Sequence, residues 1–112
     1  MMQAVNEVPH ISPEEAQRRA AQGKAVLIDV REPDEVRTVA IMGAVNVPLT
    51  LFDPQAVLDA AGDKDIVFFC KIGGRAMNAC HHFIRQTGRE AACMSGSIAG
   101  WMQKGLPVIS KV

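Results

Sequence analysis

Two short apolar runs constrain the fold of this chain more than any other feature. Ala25-Val26-Leu27-Ile28 and Ile66-Val67-Phe68-Phe69 are apolar at every position and are bounded by polar residues or glycine. Continuous apolarity over so few residues is typical of strands that are buried on both faces of a parallel sheet, whereas a half-exposed strand alternates. We therefore predict two central parallel strands with helices covering both faces.

Weaker patterns extend this arrangement along the chain. Further strands are predicted at 8–11, 44–47 and 91–94, with a short helix between the second and third strands. Ser12-Pro13-Glu14-Glu15 has the composition of a helix start, and that helix should end near Gly23. A second helix is expected from Asp53-Pro54 to Gly62, a third from the residues after Cys70 to Gly88, and a last one at 98–104. The alternation predicts a three-layer α/β fold with a mostly parallel five-stranded sheet.

Length and charge narrow the function classes. With 112 residues, 48% of them hydrophobic, the chain is predicted to be one domain over 1–112, with 1–9 as a flexible N-terminal extension. Twelve basic and twelve acidic side chains cancel, which argues against nucleic-acid or anionic-membrane partners. Neither a signal peptide nor a membrane span is recognisable.

The cysteine and histidine pattern favours a reduced, metal-free protein. The three cysteines are an odd number without a C-x-x-C pair, so a reducing compartment, the cytoplasm, is predicted. His81 and His82 are adjacent and cannot share one face of a helix, so no metal site is expected. No cofactor is implied. Cys80 and Cys93 fall in a helix and a strand, where core packing is the expected role.

A candidate nucleophile lies where the second apolar run ends. Cys70-Lys71-Ile72-Gly73-Gly74-Arg75 joins this strand to the following helix. Amide N–H groups of a glycine-rich turn and the positive end of a helix favour an anion, as do neighbouring basic side chains. The thiolate is the nucleophilic form of cysteine. Ligands of open α/β sheets bind at the carboxyl ends of strands, where Cys70 is predicted to lie.

Four segments of the chain resemble the single-domain rhodanese family. The Asp-x-Arg-Glu stretch within Leu27-Ile28-Asp29-Val30-Arg31-Glu32 is similar to the segment after the family's second strand. The other three segments are similar to its third strand, its six-residue active-site loop and its C-terminal signature: 43–48, 70–75, and Gly100-Trp101 with 105–108. The family commonly has Gly-His-Ile where this chain has Val39-Ala40-Ile41, arginine and serine where it has Lys71 and Ala76, and a glycine pair where it has Gly96-Ser97. The resemblance runs from about Ile11 to Val108.

The resemblance implies a sulfurtransferase of the thiosulfate:cyanide type. Cys70 would take the outer sulfur of a small anionic donor, thiosulfate or a persulfide, and pass it to cyanide or a thiol, which is either a small thiol or a protein cysteine. Lys71, Ile72, Gly73, Gly74 and Arg75 would form the loop that binds the substrate. Its basic side chains favour thiosulfate or a similar anion. Asp29 and Arg31 would support the site, most simply as an ion pair that braces the strand end.

Two other functions stay open at this point. A cysteine-dependent phosphatase or arsenate reductase also uses a cysteine, a cradle of amides and an arginine. Such loops hold five residues between the cysteine and the arginine, whereas this loop holds four, which favours sulfur transfer. The other alternative is a non-catalytic rhodanese-like interaction module, although such domains commonly lack the cysteine.

Overall fold

The computed structural model describes residues 8–110 and is organised around a five-stranded parallel sheet. Numbered along the chain, the strands are β1 His10–Ile11, β2 Ala25–Asp29, β3 Val39–Ala40, β4 Val45–Asn46, β5 Asp65–Phe69, β6 Ala92–Met94 and β7 Ile109–Ser110. The large sheet has the order β1-β6-β5-β2-β4, and every neighbouring pair in it is parallel. The two continuous apolar runs are its central strands, as predicted.

Five α-helices connect these strands, and their ends follow local sequence signals. They are α1 Pro13–Ala21, α2 Pro33–Thr38, α3 Pro54–Ala61, α4 Gly74–Thr87 and α5 Ser97–Gln103. The Ser12 hydroxyl accepts a hydrogen bond from the Glu15 N–H at the start of α1, and Asp53 does the same for the Gln55 N–H at α3. Gly88 ends α4 with φ 73°, a conformation that favours glycine. No helix within 8–110 is long and apolar enough to cross a membrane.

The sheet separates two apolar cores, which confirms the three-layer prediction. On one face, Ile28, Ile66 and Phe68 pack with residues of α3 and α4. On the other face, Leu27, Val67 and Phe69 pack with residues of α1 and α5. Adjacent residues of a strand point to opposite faces, so a strand covered on both sides must be apolar at consecutive positions. This is the physical reason for the unbroken apolar runs.

The structure differs from the sequence prediction at its edges. The outer strands are shorter than predicted: β1 starts at His10, β4 covers Val45–Asn46 and β6 starts at Ala92. The prediction missed a second sheet, in which β3 and β7 pair antiparallel, and a 3-10 turn at Leu49–Leu51. Of the predicted extension 1–9, residues 1–7 lie outside the described residues, whereas Val8 is buried and the Pro9 carbonyl accepts a hydrogen bond from the Cys93 N–H.

A buried ion pair stabilises the carboxyl end of β2. The Arg31 Nε donates to Asp29 Oδ1 at 3.0 Å and its Nη2 donates to Asp29 Oδ2 at 2.7 Å, with both side chains almost fully buried. The same Nη2 also donates to the Val39 carbonyl at 2.8 Å. The expected ion pair is therefore present, and it additionally holds β3 against the end of β2.

Replacing Arg31 by leucine should reduce the free energy of unfolding by about 3–5 kcal/mol, because the Asp29 carboxylate then lacks its partner in a dry site. Urea denaturation measures this loss. The double variant Asp29→Asn with Arg31→Leu should be less destabilised, since it leaves no buried charge. Arg37→Leu is the matched control: Arg37 is exposed, and its replacement should change the stability by less than about 0.5 kcal/mol. An equal loss for Arg31→Leu and Arg37→Leu would contradict the assignment.

Candidate active site

Cys70 lies at the carboxyl edge of the sheet, between the end of β5 and the start of α4. Its side chain is only 1% exposed. The Gly73 N–H donates to Cys70 Sγ at 3.0 Å, and the Ala76 N–H donates to the same sulfur at 3.4 Å. Gly73 has φ 141°, a backbone conformation that L side chains rarely adopt. The turn therefore needs glycine there to aim its amides at the sulfur.

These contacts place the sulfur at the positive end of a 14-residue helix. The first N–H groups of a helix have no partner within the helix and carry partial positive charge. Two of them are satisfied here by a sulfur atom, which as a thiolate is a charged acceptor. Two amide donors directed at one atom favour an acceptor that carries negative charge.

Ser97, at the start of α5, also contacts Cys70 and was not predicted as a site residue. The Cys70 N–H donates to Ser97 Oγ at 3.1 Å, and Ser97 Oγ lies 3.7 Å from Cys70 Sγ. The Ile98 N–H donates to the Cys70 carbonyl and the Ala99 N–H to the Lys71 carbonyl, both at 3.0 Å. The first turn of α5 thus holds the start of the loop through three hydrogen bonds.

Backbone strain accompanies the Ser97 contact. Ser97 has φ 54°, and within 8–110 it is the one non-glycine residue with positive φ. Such a conformation costs on the order of 1–3 kcal/mol and persists where surrounding contacts impose it, often at functional sites. The sequence feature that marks Ser97 is the Gly96-Ser97 pair, because the family that the chain resembles has two glycines there. The serine keeps the glycine-like backbone and adds a hydroxyl next to the sulfur.

Arg75 is held in an ion pair rather than pointing free at the sulfur. Its Nη1 donates to Glu35 Oε1 at 2.7 Å and its Nη2 donates to Glu35 Oε2 at 3.1 Å. These bonds lower the pKa of Glu35 from 4.5 to about 2 and raise the pKa of Arg75. Glu35, on α2, was not predicted as a site residue, because nothing local in the sequence links it to a loop 40 residues away.

The remaining predicted site residues differ in solvent exposure and in their contacts. Lys71 is exposed and forms no ion pair with any residue the structure describes. Ile72 is 73% exposed, so its side chain forms part of the outer surface of the loop. Gly74 is the first residue of α4. Asp29 is the last residue of the neighbouring strand β2, and Arg31 follows two residues later. Within 8–110 their side-chain hydrogen bonds stay between each other, the Arg31 backbone and Val39.

The two other cysteines lie in the core, as expected. Cys80 on α4 and Cys93 on β6 are both buried in the same apolar cluster. A hydrogen bond with Cys80, together with burial, raises the pKa of Cys93. A thiol whose ionisation is disfavoured in this way is a poor nucleophile.

Comparisons with known proteins agree with this architecture. Residues 12–104 match the family described as Rhodanese-like domain. The chain is 30% identical over 95 residues to a sulfurtransferase of Allochromatium vinosum, covering 85% of this chain and 88% of the relative. It is 28% identical to the human thiosulfate:glutathione sulfurtransferase, covering 86% of this chain and 95% of that protein. Some other relatives are longer, and the chain spans 55% and 40% of two of them.

A solved structure also has the same fold. The crystal structure of a rhodanese-related protein from Thermoplasma volcanium superimposes with a TM-score of 0.75 over 92% of this chain and 99% of that chain. The sequence identity is 24%, so this similarity concerns the fold.

Ser97 is predicted to stabilise both the loop and the negatively charged sulfur. Ser97→Ala keeps the strained backbone but leaves the buried Cys70 N–H unpaired, so we expect a loss of about 1–3 kcal/mol in the free energy of unfolding. Iodoacetamide alkylation of Cys70 at pH 7 should slow by about 3–10-fold, because the thiolate loses a neighbouring donor. Ser97→Gly is the matched control, which removes the hydroxyl and relieves the strain. It should be more stable than Ser97→Ala yet equally slow to alkylate, and wild-type reactivity in Ser97→Gly would refute the hydroxyl's role.

The Glu35 and Arg75 pair predicts a specific pH dependence of stability. The pKa of Glu35 is about 2 in the folded chain against 4.5 normally, so the pair stabilises the fold above about pH 4.5 and loses its effect as the pH falls toward 2. Glu35→Gln should therefore be destabilised near pH 6, and its difference from wild type should be clearly smaller at pH 3, as urea denaturation at both values would measure. The side chains are 36% and 32% exposed, so the difference should be below about 1 kcal/mol. A difference that does not change with pH would exclude this origin.

Proposed function

The chain belongs to the rhodanese-like family, and from this we propose that it is a sulfurtransferase in which Cys70 carries a sulfane sulfur as a persulfide. The main observation behind the proposal is that Cys70 Sγ accepts hydrogen bonds from the N–H groups of Gly73 and Ala76 at the start of α4. A thiolate and a persulfide are both anionic at neutral pH, so one ring of donors can stabilise the enzyme before and after it is loaded.

The proposed reaction has two displacement steps. In the first, the Cys70 thiolate attacks the outer sulfur of the donor. A new S–S bond forms on Cys70, the donor's own S–S bond breaks, and the leaving group departs with the electron pair, as sulfite from thiosulfate or as a thiolate from a persulfide. In the second, a thiolate or cyanide attacks the outer sulfur of the Cys70 persulfide and regenerates the Cys70 thiolate. No electrons enter or leave the pair of reactants, so no redox cofactor is required.

The residues around the sulfur support this assignment of partners. Lys71 is exposed on the loop and is suited to attract a small anionic donor such as thiosulfate or a persulfide. Gly73 and Gly74 have no side chains to obstruct the approach. The acceptor is a thiol or cyanide. Three free cysteines, two of them neighbours in the core, suit a reducing compartment such as the cytoplasm.

Two features speak against the alternative functions. A phosphatase or arsenate reductase needs an arginine free to close on a tetrahedral oxyanion, whereas Arg75 is already paired with Glu35 through both of its terminal nitrogens. The loop is also one residue shorter than those enzymes use. A purely non-catalytic module would not need two amides directed at a cysteine sulfur.

Loading with a sulfur donor tests the proposal. After incubation with thiosulfate or glutathione persulfide, the intact mass should rise by one sulfur atom, and dithiothreitol or cyanide should reverse the gain. Cys70→Ser should show no gain. Cys80→Ala is the matched control because it removes a different buried thiol, which is hydrogen-bonded to Cys93, and it should load like wild type.

Three outcomes would overturn the proposal. They are the absence of any adduct with either donor, an adduct that persists in Cys70→Ser, or hydrolysis of p-nitrophenyl phosphate at a rate that depends on Cys70. The last result would move the chain to phosphatase chemistry.

A further inference from the structure

The charges around Cys70 are less positive than the loop sequence suggests. The segment from Cys70 to Arg75 carries two basic side chains, but the guanidinium of Arg75 forms two hydrogen bonds to the carboxylate of Glu35. A paired carboxylate at this distance cancels most of the attraction that Arg75 exerts on a third charge. Among the residues the structure describes, Lys71 is therefore the loop's uncompensated cation.

Glu35 is fixed in place by its own helix, so the pairing is built into the fold. Glu35 Oε1 also accepts a hydrogen bond from the Glu32 N–H at 3.0 Å, which forms part of the capping box of α2. The Glu32 side chain is held in turn by the Thr50 hydroxyl at 2.8 Å. A donor that approaches Cys70 has to break a preorganised ion pair before it can use Arg75.

The two donor types differ in the charge that the site must accommodate. Thiosulfate carries two negative charges, so its encounter with the Cys70 thiolate gathers three. A persulfide on a carrier that is otherwise neutral carries one, so its encounter gathers two. One exposed lysine and the partial charge of a helix N-terminus match the smaller charge better.

We propose that Glu35 determines donor specificity: by compensating Arg75, it makes the site prefer a singly charged persulfide to doubly charged thiosulfate. This inference rests on the proposed function. In the preferred reaction the Cys70 thiolate attacks the outer sulfur of the persulfide, the S–S bond of the donor breaks, and the donor's thiolate leaves with the electron pair.

Rates of Cys70 loading from both donors test the inference. Intact mass against time gives second-order rate constants for thiosulfate and for cysteine persulfide, in which the carboxylate and ammonium charges cancel and leave the single charge of the persulfide. Wild type should load faster from cysteine persulfide. Glu35→Gln frees Arg75 and should raise the thiosulfate rate by about 5–10-fold while changing the persulfide rate by less than about threefold, because the additional positive charge acts on twice the donor charge. This gain should shrink as ionic strength rises.

Asp34→Asn is the matched control. It removes one carboxylate from the same first turn of α2, but Asp34 is exposed and forms no ion pair within 8–110. Both loading rates should stay within about twofold of wild type, because an exposed, solvent-screened charge has little effect. An equal increase of the thiosulfate loading rate in Asp34→Asn and Glu35→Gln would mean that only the net charge of the chain matters. It would overturn the role of the Glu35–Arg75 pair.

A second variant keeps the inference testable if Glu35→Gln folds poorly. Lys71→Gln removes the uncompensated cation from an exposed position and should slow thiosulfate loading by about tenfold, more than it slows persulfide loading. The inference fails if wild type loads from both donors but Glu35→Gln leaves their ratio unchanged, or if Lys71→Gln has no effect on thiosulfate loading. If wild type loads from neither donor, the proposed function itself fails.

Discussion

The pairing of β5 with β2 is the constraint on which the candidate site depends. The two strands run parallel in a register that joins Ala25 to Asp65 at one end and Asp29 to Phe69 at the other. Both strands therefore end at the same level, and the residues that follow them emerge at one edge. On β2 these are Val30 and Arg31, and on β5 they are Cys70 and its loop. Parallel pairing is what brings a loop from residue 70 within reach of a helix that begins at residue 33.

Three separate elements then fix the loop, and each acts on a different part of it. The amides at the start of α4 contact the sulfur, the first turn of α5 holds the backbone of Cys70 and Lys71, and Glu35 on α2 holds Arg75. Because each of these elements follows a different strand of the sheet, the geometry around the sulfur depends on the tertiary fold. Loop residues fixed in this way would lose little freedom in the proposed reaction, which is what catalysis by preorganised donors requires.

The sequence predicted the layers and the loop because both depend on local patterns. Continuous apolar runs, N-cap residues with proline, and glycines after helices act over a few residues, and the two central strands and four of the helix ends appear where these signals placed them. The short pairing of β3 with β7 brings together residues 39 and 110, and neither segment has a pattern of its own that indicates a strand. The lengths of the edge strands were overestimated because apolar residues continue beyond the last paired position. The local pattern does not show where the pairing ends.

The site shows the same division between local and long-range signals. The Cys70 loop was visible because its cysteine, glycines and basic residues are contiguous. Glu35 and Ser97 were not, because their importance comes from contacts with residues 40 and 27 positions away. Glu35 also changes the expected role of Arg75. The loop sequence predicts a free positive charge at Arg75, whereas in the fold this charge is paired with the Glu35 carboxylate.

The strain at Ser97 and the compensated charge of Arg75 have a common physical basis. The proposed reaction requires a buried sulfur to carry negative charge, which is costly unless donors surround it. Amide N–H groups and a hydroxyl can do this without carrying net charge, so they stabilise the thiolate without also binding every anion in solution. A free arginine at the same place would attract anions indiscriminately. Ser97, with its positive φ, contributes a hydroxyl, and Glu35 neutralises Arg75. In both cases the sulfur is surrounded by short, directed hydrogen-bond donors without net charge rather than by a full positive charge.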